Sequence, residues 1–210
     1  MVWIIRRYVP LEGDDKMGKI FGIGLSGTGT RSLSWALITL GYTVKHYPFS
    51  LEEIAMHDAS ADISVSCRYR ELDKMFIDSR FILTTRDRES WLDCRQRKPP
   101  DEQTPPLWVL ETRLRTYGVL SYDRETYIKV YEDYHKGVTD YFRNRPGDLL
   151  TMNILEGDGW EKLCSFLGLD TIPGTPFPCI RGSERGDQAP MPRDRFHSRE
   201  RRKRWWNPGG

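Results

Sequence analysis

The sequence predicts an α/β fold of three layers, in which a central parallel sheet carries helices on both faces. Short apolar runs alternate with helical patterns along the chain, and this alternation is typical of a parallel sheet covered on both sides. Residues 80–85 (RFILTT) form the clearest inner strand, because a strand buried on both faces carries a nearly continuous apolar run. Residues 19–25 (KIFGIGL) end in glycines before a helix, which predicts a phosphate-binding loop of the P-loop type.

The other elements follow the same alternation of strand and helix. Helices are indicated by apolar residues three and four positions apart, by the capping box Ser50-x-x-Glu53, and by glycines at helix ends. The predicted strands are 19–25, 42–47, 63–66, 80–85 and 148–154. The predicted helices end at Gly41, begin at Ser50, pass through Leu72 and Phe76, span about 87–97, run from Tyr127 to Phe142, and extend from a cap at Asp158 to Gly168.

Three segments interrupt this pattern. Residues 1–17 lack periodicity and are interpreted as an accessory arm before an α/β domain at 18–180. Residues 98–106 (KPPDEQTPP) contain four prolines and are predicted to be a loop. The wider stretch 98–118 is expected to supply variable loops that shape a ligand pocket. Residues 181–210 carry nine Lys and Arg against four Asp and Glu, which predicts a basic tail without fixed structure.

Composition excludes several classes of protein. The four cysteines lie far apart and form no C-x-x-C pair, so neither a zinc ribbon nor a disulfide framework is indicated. The apolar run at residues 2–5 is too short for a signal peptide or a membrane span. A cytoplasmic protein without a membrane span is expected. The sequence does not indicate the oligomeric state.

The loop after the first predicted strand has the composition of an anion site. Free backbone N–H groups and the positive end of the helix dipole converge where a glycine-rich turn opens a helix. Glycines let the backbone approach the ligand, and hydroxyl side chains add donors. A Walker A loop ends in G-K-[ST], whereas this loop ends in Gly29-Thr-Arg-Ser32. A nucleotide kinase is therefore disfavoured.

Three segments in order resemble the sulfotransferase superfamily, especially its small bacterial branch. Residues 27–33 (GTGTRSL) are similar to the family's 5′-phosphosulfate loop, residues 81–91 (FILTTRDRESW) to its R-D-x-x-x-W segment, and residues 148–168 to its closing strand and helix. The resemblance implies a donor, 3′-phosphoadenosine-5′-phosphosulfate, with no metal required. It also implies an acceptor hydroxyl or amine on a small molecule or sugar.

The resemblance also assigns residues that bind the donor. An Arg at the end of a strand and a Ser two helical turns later hold the 3′-phosphate in the family. Arg86 matches the Arg, but Cys94 stands at the Ser position, so Ser90, one turn earlier, is a second candidate. The loop residues assigned to the 5′ end are Ser26, Gly27, Thr28, Gly29, Thr30, Arg31 and Ser32.

Gly27 departs from the family pattern, which places Lys or Arg directly before T-G-T to meet the bridging oxygen. Arg31 is the expected replacement because it lies in the first helical turn of the same loop, with Lys45 and Arg68 as further candidates from neighbouring strand ends. The alternative is a catalytically degenerate protein that still binds the nucleotide.

Two residues are candidates for the base that takes the acceptor's proton. Asp62 resembles the Asp of the family's D-x-P segment, and His46 resembles its H-Y-P. Histidine is the easier base at its ordinary pKa, whereas Asp62 needs burial to raise its own. Asp62 is placed first on resemblance.

The segment 199–206 (RERRKRWW) leaves a different class of function open. Clustered arginines with two tryptophans are found in proteins that bind nucleic acid. A nucleic-acid adaptor is kept as an alternative, although a nucleic-acid partner is not favoured, since such charge runs are most often solvated chain ends.

Overall fold

A computed structural model describes residues 18–97 and 105–180. The interpretations of the arm at 1–17, of most of the proline-rich segment, and of the tail at 181–210 lie outside the described residues. The strands are β1 (Ile20–Gly22), β2 (Val44–His46), β3 (Ala59–Ala61), β4 (Arg80–Thr84) and β5 (Leu149–Met152). They form a sheet in the order β2-β3-β1-β4-β5 in which every pairing is parallel.

Eight α-helices connect and flank these strands within the described part of the chain. They are α1 (Thr30–Thr39), α2 (Leu51–Met56), α3 (Ile63–Ser66), α4 (Tyr69–Met75), α5 (Arg88–Gln96), α6 (Leu107–Tyr117), α7 (Arg124–Phe142) and α8 (Trp160–Leu167). Short 3₁₀ turns at Pro146–Asp148 and Ile154–Glu156 flank β5. None of these helices combines the length and the apolar character needed to cross a membrane.

Apolar side chains project from both faces of the sheet. Ile20 and Ile82 belong to a buried cluster with residues of α1 and α8. Phe21 and Phe81, their neighbours along β1 and β4, point the opposite way and pack with residues of α4 and α7. The predicted three-layer α/β architecture with a central parallel sheet is therefore confirmed.

The third strand was predicted in the wrong place. Residues 63–66 form α3, and the strand is the preceding Ala59–Ala61. The reversal occurs at Asp62, whose side chain accepts a hydrogen bond from the Ile63 N–H and caps α3. Asp62 therefore follows a strand and opens a helix, at the carboxyl edge of the sheet.

Two further predictions need correction. The stretch 98–118 is not all loop, because Leu107–Tyr117 forms the helix α6, which ends at the left-handed Gly118. Asp158 does not cap α8, whose N-cap is Gly159. The Asp158 carboxylate instead accepts hydrogen bonds from the Asn153 N–H at 2.7 Å and from Lys162 at 2.7 Å.

Candidate functional site

The loop between β1 and α1 lies at the carboxyl ends of the central strands. Gly27 and Gly29 have φ angles of +92° and +105°, in the region that side chains rarely enter. Gly29 is the N-cap of α1 and provides no side-chain cap. The backbone thus turns sharply into the N-terminus of a ten-residue helix, which is the geometry expected of an anion-binding turn.

Thr28 holds the loop from inside. Its side chain is fully buried, and its hydroxyl donates to the Leu25 carbonyl at 2.7 Å and lies 2.7 Å from the Thr84 hydroxyl. A Cβ on Gly24 would stand 1.8 Å from the Thr84 hydroxyl oxygen, so only glycine fits there. The Thr28 side chain therefore contributes to the shape of the loop, and its role as a ligand donor stays a prediction.

Arg86 and Ser90 lie together beside the loop. Arg86 Nε donates to the Ser90 hydroxyl at 2.9 Å, and Arg86 Nη1 donates to the Gly27 carbonyl at 3.3 Å. Asp87 caps α5 by accepting from the Ser90 N–H at 2.8 Å, which fixes Ser90 next to the guanidinium. Both side chains are half-buried. A guanidinium has several N–H donors, so these contacts leave donors for a bound anion.

Helix α5 packs its next turn against the same loop. The Trp91 indole N–H donates to the Ser26 carbonyl at 3.0 Å, and Trp91 is fully buried. A Cβ built on Gly27 would lie 3.4 Å from Cys94 Sγ. Ser90 therefore meets Arg86, whereas Cys94, one turn later, faces Gly27.

Asp62, His46 and the loop are joined by a chain of hydrogen bonds. The Ser26 hydroxyl donates to Asp62 Oδ1 at 3.0 Å, and Asp62 Oδ2 lies 3.0 Å from His46 Nε2. His46 Nδ1 lies 3.1 Å from the Ser34 hydroxyl, which itself donates to the Thr30 carbonyl at 3.0 Å. The structure thus brings both predicted bases to the loop between β1 and α1, where Asp62 contacts Ser26 directly and His46 follows behind it.

The family is decided by comparison with known proteins. The sulfotransferase domain family matches residues 50–185, which is more than half of the chain. The chain belongs to the sulfotransferase family. A search of the curated proteins finds no match. The matched range begins after the loop at 24–33, so it does not test the roles of the loop residues in this sulfotransferase, which stay predictions.

His46 lies between Asp62 and Ser34. An ionised Asp62 only accepts hydrogen bonds, so His46 Nε2 is the donor in their 3.0 Å contact. The Ser34 hydroxyl is within hydrogen-bond distance of both His46 Nδ1 and the Thr30 carbonyl. The role of His46 as a base stays a prediction.

Asp62 is ionised and strained. Burial has the largest influence on its pKa and raises it, but the hydrogen bond and charge of His46, the Ile63 N–H and the Ser26 hydroxyl together bring the pKa below its ordinary value. Its backbone stands at φ 90°, ψ 179°, a region almost confined to glycine and worth about 1–3 kcal/mol of strain. Such strain is concentrated at functional sites.

The predicted replacement cations lie in different surroundings. Arg31 is exposed on the first turn of α1, and its role as a cation at the sulfuryl group stays a prediction. Lys45 is paired with Glu53 at 2.7 Å. Arg68 precedes α4, and its Nε is buried without a hydrogen-bond partner among the described residues.

Sequence reasoning missed two polar residues that flank the loop. Arg95, on α5, lies next to Gly27, and Tyr117, at the end of α6, is buried beside Ser26 and Asp62. Arg95 follows Cys94 directly, so a search of that helical turn for cationic residues could have found it. Tyr117 gave none, because α6 itself was taken for loop.

Proposed function

We propose that this sulfotransferase moves the sulfuryl group of 3′-phosphoadenosine-5′-phosphosulfate to a hydroxyl or amine of a small molecule or sugar. In that reaction a bond forms between sulfur and the acceptor atom as the bond from sulfur to the bridging oxygen breaks. The electron pair goes to the 5′-phosphate, and the acceptor's proton goes to a base. The observation that carries the proposal is the Arg86–Ser90 pair at the Gly27 carbonyl.

Donor binding is divided between two parts of the site. The loop 26–32 offers left-handed glycines and the N-terminus of α1 to the 5′-phosphosulfate. Arg86 and Ser90 offer a guanidinium and a hydroxyl to the 3′-phosphate, a contact that is charge-assisted and geometrically specific. The two parts meet at Gly27, so one nucleotide with phosphates at both ends of its ribose can engage both.

Asp62 acts as the base in this proposal. Its carboxylate contacts the loop directly through a hydrogen bond from Ser26, and His46 contacts its other oxygen. The hydrogen bonds from His46, Ser26 and the Ile63 N–H hold Asp62 in its ionised form. Its lowered pKa is the opposite of the raised pKa that the sequence argument required of a base, so the assignment rests on the position of the carboxylate at the loop. In this proposal His46 positions Asp62 through its contact with Oδ2.

Aromatic residues beside His46 are suited to an acceptor. Tyr47 follows His46 directly, and its ring lies 5.0 Å from that of Trp108. Phe49 lies 6.2 Å from Trp108 and is 61% exposed. Partly exposed aromatic faces stack against sugar rings and planar apolar groups, and Tyr47 follows His46, which contacts the proposed base Asp62.

The test is calorimetric titration with 3′-phosphoadenosine-5′-phosphate and with ATP, without added magnesium. The bisphosphate should bind at least about tenfold tighter, and Arg86→Ala should lose about 2–3 kcal/mol of its affinity because a charge-assisted contact disappears. Arg88→Ala is the matched control, since Arg88 lies two residues later, at the start of α5, and pairs with Glu132 and Glu89 instead. Equal affinities for the two nucleotides, or an absolute requirement for magnesium, would contradict the proposal.

The degenerate alternative makes a separate prediction. A protein that lost its loop cation at Gly27 would bind the bisphosphate yet transfer nothing to a broad panel of alcohols, phenols, sugars and amines. Turnover of any member of that panel eliminates this alternative.

A further inference from the structure

Arg95 lies against the loop at the residue that has no side chain. A Cβ built on Gly27 would lie 3.8 Å from Arg95 Cδ and 3.8 Å from Trp91 Cδ1. The stem of Arg95 therefore runs beside the backbone turn between Ser26 and Thr28. A longer side chain at residue 27 would compete with Arg95 for this space, and a cationic one would also repel it.

Arg95 as a whole is partly exposed, but one of its donors is buried without a partner. Its Nε is inaccessible and has no hydrogen-bond partner within residues 18–97 and 105–180. The guanidinium carbon lies 5.5 Å from the centre of the Tyr117 ring, a cation–π contact that does not satisfy N–H donors. A buried, unpaired donor of a charged group is costly, so the arrangement is explained if a ligand completes it.

The position of Arg95 in the last turn of α5 offers a simpler explanation for a cation at this place, but it does not explain why the Nε atom is buried. A cation there is favoured by the helix dipole. That effect also operates on an exposed side chain, such as Arg97, whose Nε donates to the Asp93 carbonyl at 3.1 Å. The dipole therefore does not account for burial of the Arg95 Nε beside the loop.

Tyr117 is a second buried polar group at this place, beside the Ser26 side chain. Its side chain is 1% exposed, and its hydroxyl has no hydrogen bond of good geometry within the described residues. Ser26, Asp62 and Arg95 are its polar neighbours, and burial, the largest effect, raises its pKa to about 12. The hydroxyl is therefore a neutral donor at physiological pH, fixed in place because its ring stacks on Tyr127 at 4.9 Å.

We propose that Arg95 and Tyr117 form a second anion-binding pair that closes over the loop at Gly27 and holds a non-bridging oxygen of the bound phosphosulfate or phosphate. Arg95 supplies the positive charge and Tyr117 a neutral O–H donor, so that the loop does not need a cation of its own. This inference rests on the proposed function for the identity of the ligand. The inference that these two side chains hold an anion does not depend on the proposed function.

The experiment compares wild type, Arg95→Gln, Arg95→Lys, Arg97→Gln, Tyr117→Phe and Tyr122→Phe by calorimetry. The probes are 3′-phosphoadenosine-5′-phosphate and inorganic pyrophosphate. Arg95→Gln should weaken binding of either probe at least about tenfold, since the loss of a charge-assisted hydrogen bond has that size. Arg95→Lys should recover part of the loss, and Tyr117→Phe should weaken binding about fivefold. Tyr122 packs on the same Tyr127 ring at 5.0 Å, so it controls for ring packing.

The outcomes separate this inference from the proposed function. If wild type binds both probes and Arg95→Gln binds them as tightly as Arg97→Gln does, the inference is wrong and the function stands. If only pyrophosphate binds, with the same dependence on Arg95, the inference stands and the nucleotide donor is wrong. If wild type binds neither probe, both are wrong.

Folding is checked in the same samples by thermal melting. Removing a buried N–H donor that has no partner relieves a cost in the ligand-free protein, so Arg95→Gln should melt at or above the wild-type temperature. A melting temperature clearly below wild type would mean that Arg95 is a structural residue of the α5–α6 contact, and would overturn the inference.

Discussion

Asp62 combines a strained backbone conformation with hydrogen bonds that hold its carboxylate in place. The left-handed φ of 90° is stabilised by bonds from the Ile63 N–H at 2.7 Å and from Ser26 at 3.0 Å. Asp62→Asn keeps the size of the side chain and removes its charge. Turnover should fall by about two to four orders of magnitude while donor affinity changes little, as expected for the loss of a general base.

The comparison with His46 decides between the two bases. In His46→Ala the Asp62 carboxylate remains but loses its partner, so turnover should fall less than in Asp62→Asn and its pH dependence should shift. If His46→Ala abolishes transfer and Asp62→Asn does not, histidine is the base and the assignment is wrong. Bisphosphate affinity, measured on both variants, distinguishes a catalytic effect from a binding one.

Gly27 and Gly41 form a matched pair at the residue scale. Their φ angles are +92° and +91°, and a Cβ on Gly41 would meet nothing within 4 Å. Both alanine variants should therefore lose about 1–2 kcal/mol of stability from the left-handed backbone. Gly27→Ala alone should weaken nucleotide binding, because its Cβ enters the contact with Cys94 and Arg95. Equal nucleotide affinities in the two variants would remove Gly27 from the site.

The positive φ angle of Gly27 also changes the result that we expect for Gly27→Lys. Restoring the cation of the family pattern at this position introduces backbone strain and a side chain directed at Arg95. We expect a lower melting temperature and no gain in turnover. A clear gain in turnover would favour the degenerate alternative.

At the scale of elements, sequence patterns located four of the five strands and missed the one built from small side chains. The strand β4 was found because Phe81, Ile82 and Leu83 form a continuous apolar run. The strand β3 is Ala-Ser-Ala, and its small side chains follow from close packing, since a Cβ on Gly22 would stand 2.7 Å from the Ala61 Cβ. Alanine and serine carry little strand propensity, so the β-branched residues of α3 were chosen instead.

Part of the candidate site could likewise be predicted from the sequence, and part could not. The loop was predictable because glycines mark a turn that side chains cannot enter, and Arg86 because it ends a recognisable strand. The contacts of Arg95 and Tyr117 depend on how α5 and α6 pack over the loop. Packing between helices distant in sequence leaves no short-range pattern, so these two residues required the structure.

A hydrogen bond from Tyr134 joins helix α7 to the backbone just after β1. The Tyr134 hydroxyl donates to the Ile23 carbonyl at 2.5 Å, just before the phosphate loop. Tyr134→Phe leaves that carbonyl without this donor, which should cost about 1–3 kcal/mol of stability in urea denaturation. Tyr141→Phe is the control, because Tyr141 bonds the partly exposed Asp73 and its loss should cost less. Equal losses of stability in the two variants would show that the Tyr134–Ile23 hydrogen bond contributes no more than the Tyr141–Asp73 hydrogen bond.

For the molecule as a whole, His135 should make stability depend on pH. Burial, the largest effect, lowers its pKa although its Nδ1–H donates to the Tyr131 carbonyl at 2.6 Å. The unfolded chain therefore takes up a proton near pH 6.5 while the folded protein does not. Stability should fall as pH decreases from about 7 through 6.

The urea midpoint at several pH values measures this dependence. His135→Gln cannot take up the proton and should flatten the slope between pH 7 and 5. Carboxylates with lowered pKa values, such as Asp62 and Asp73, lose their stabilising contribution only at lower pH, through their folded-state pKa. An unchanged slope in His135→Gln would assign it to other groups.

The central position of β1 governs the order in which the sheet can assemble. Strands β2 and β3 pair across a short stretch of chain, Val44 with Ala59, whereas β1 must insert between β3 and β4, whose partners for Ile20 are Ala59 and Arg80. Closing short loops costs less entropy, so β2–β3 is expected in the folding nucleus and the phosphate loop is completed late. An anion bound to that loop should then slow unfolding far more than it speeds refolding, a difference visible in stopped-flow chevrons with and without the bisphosphate.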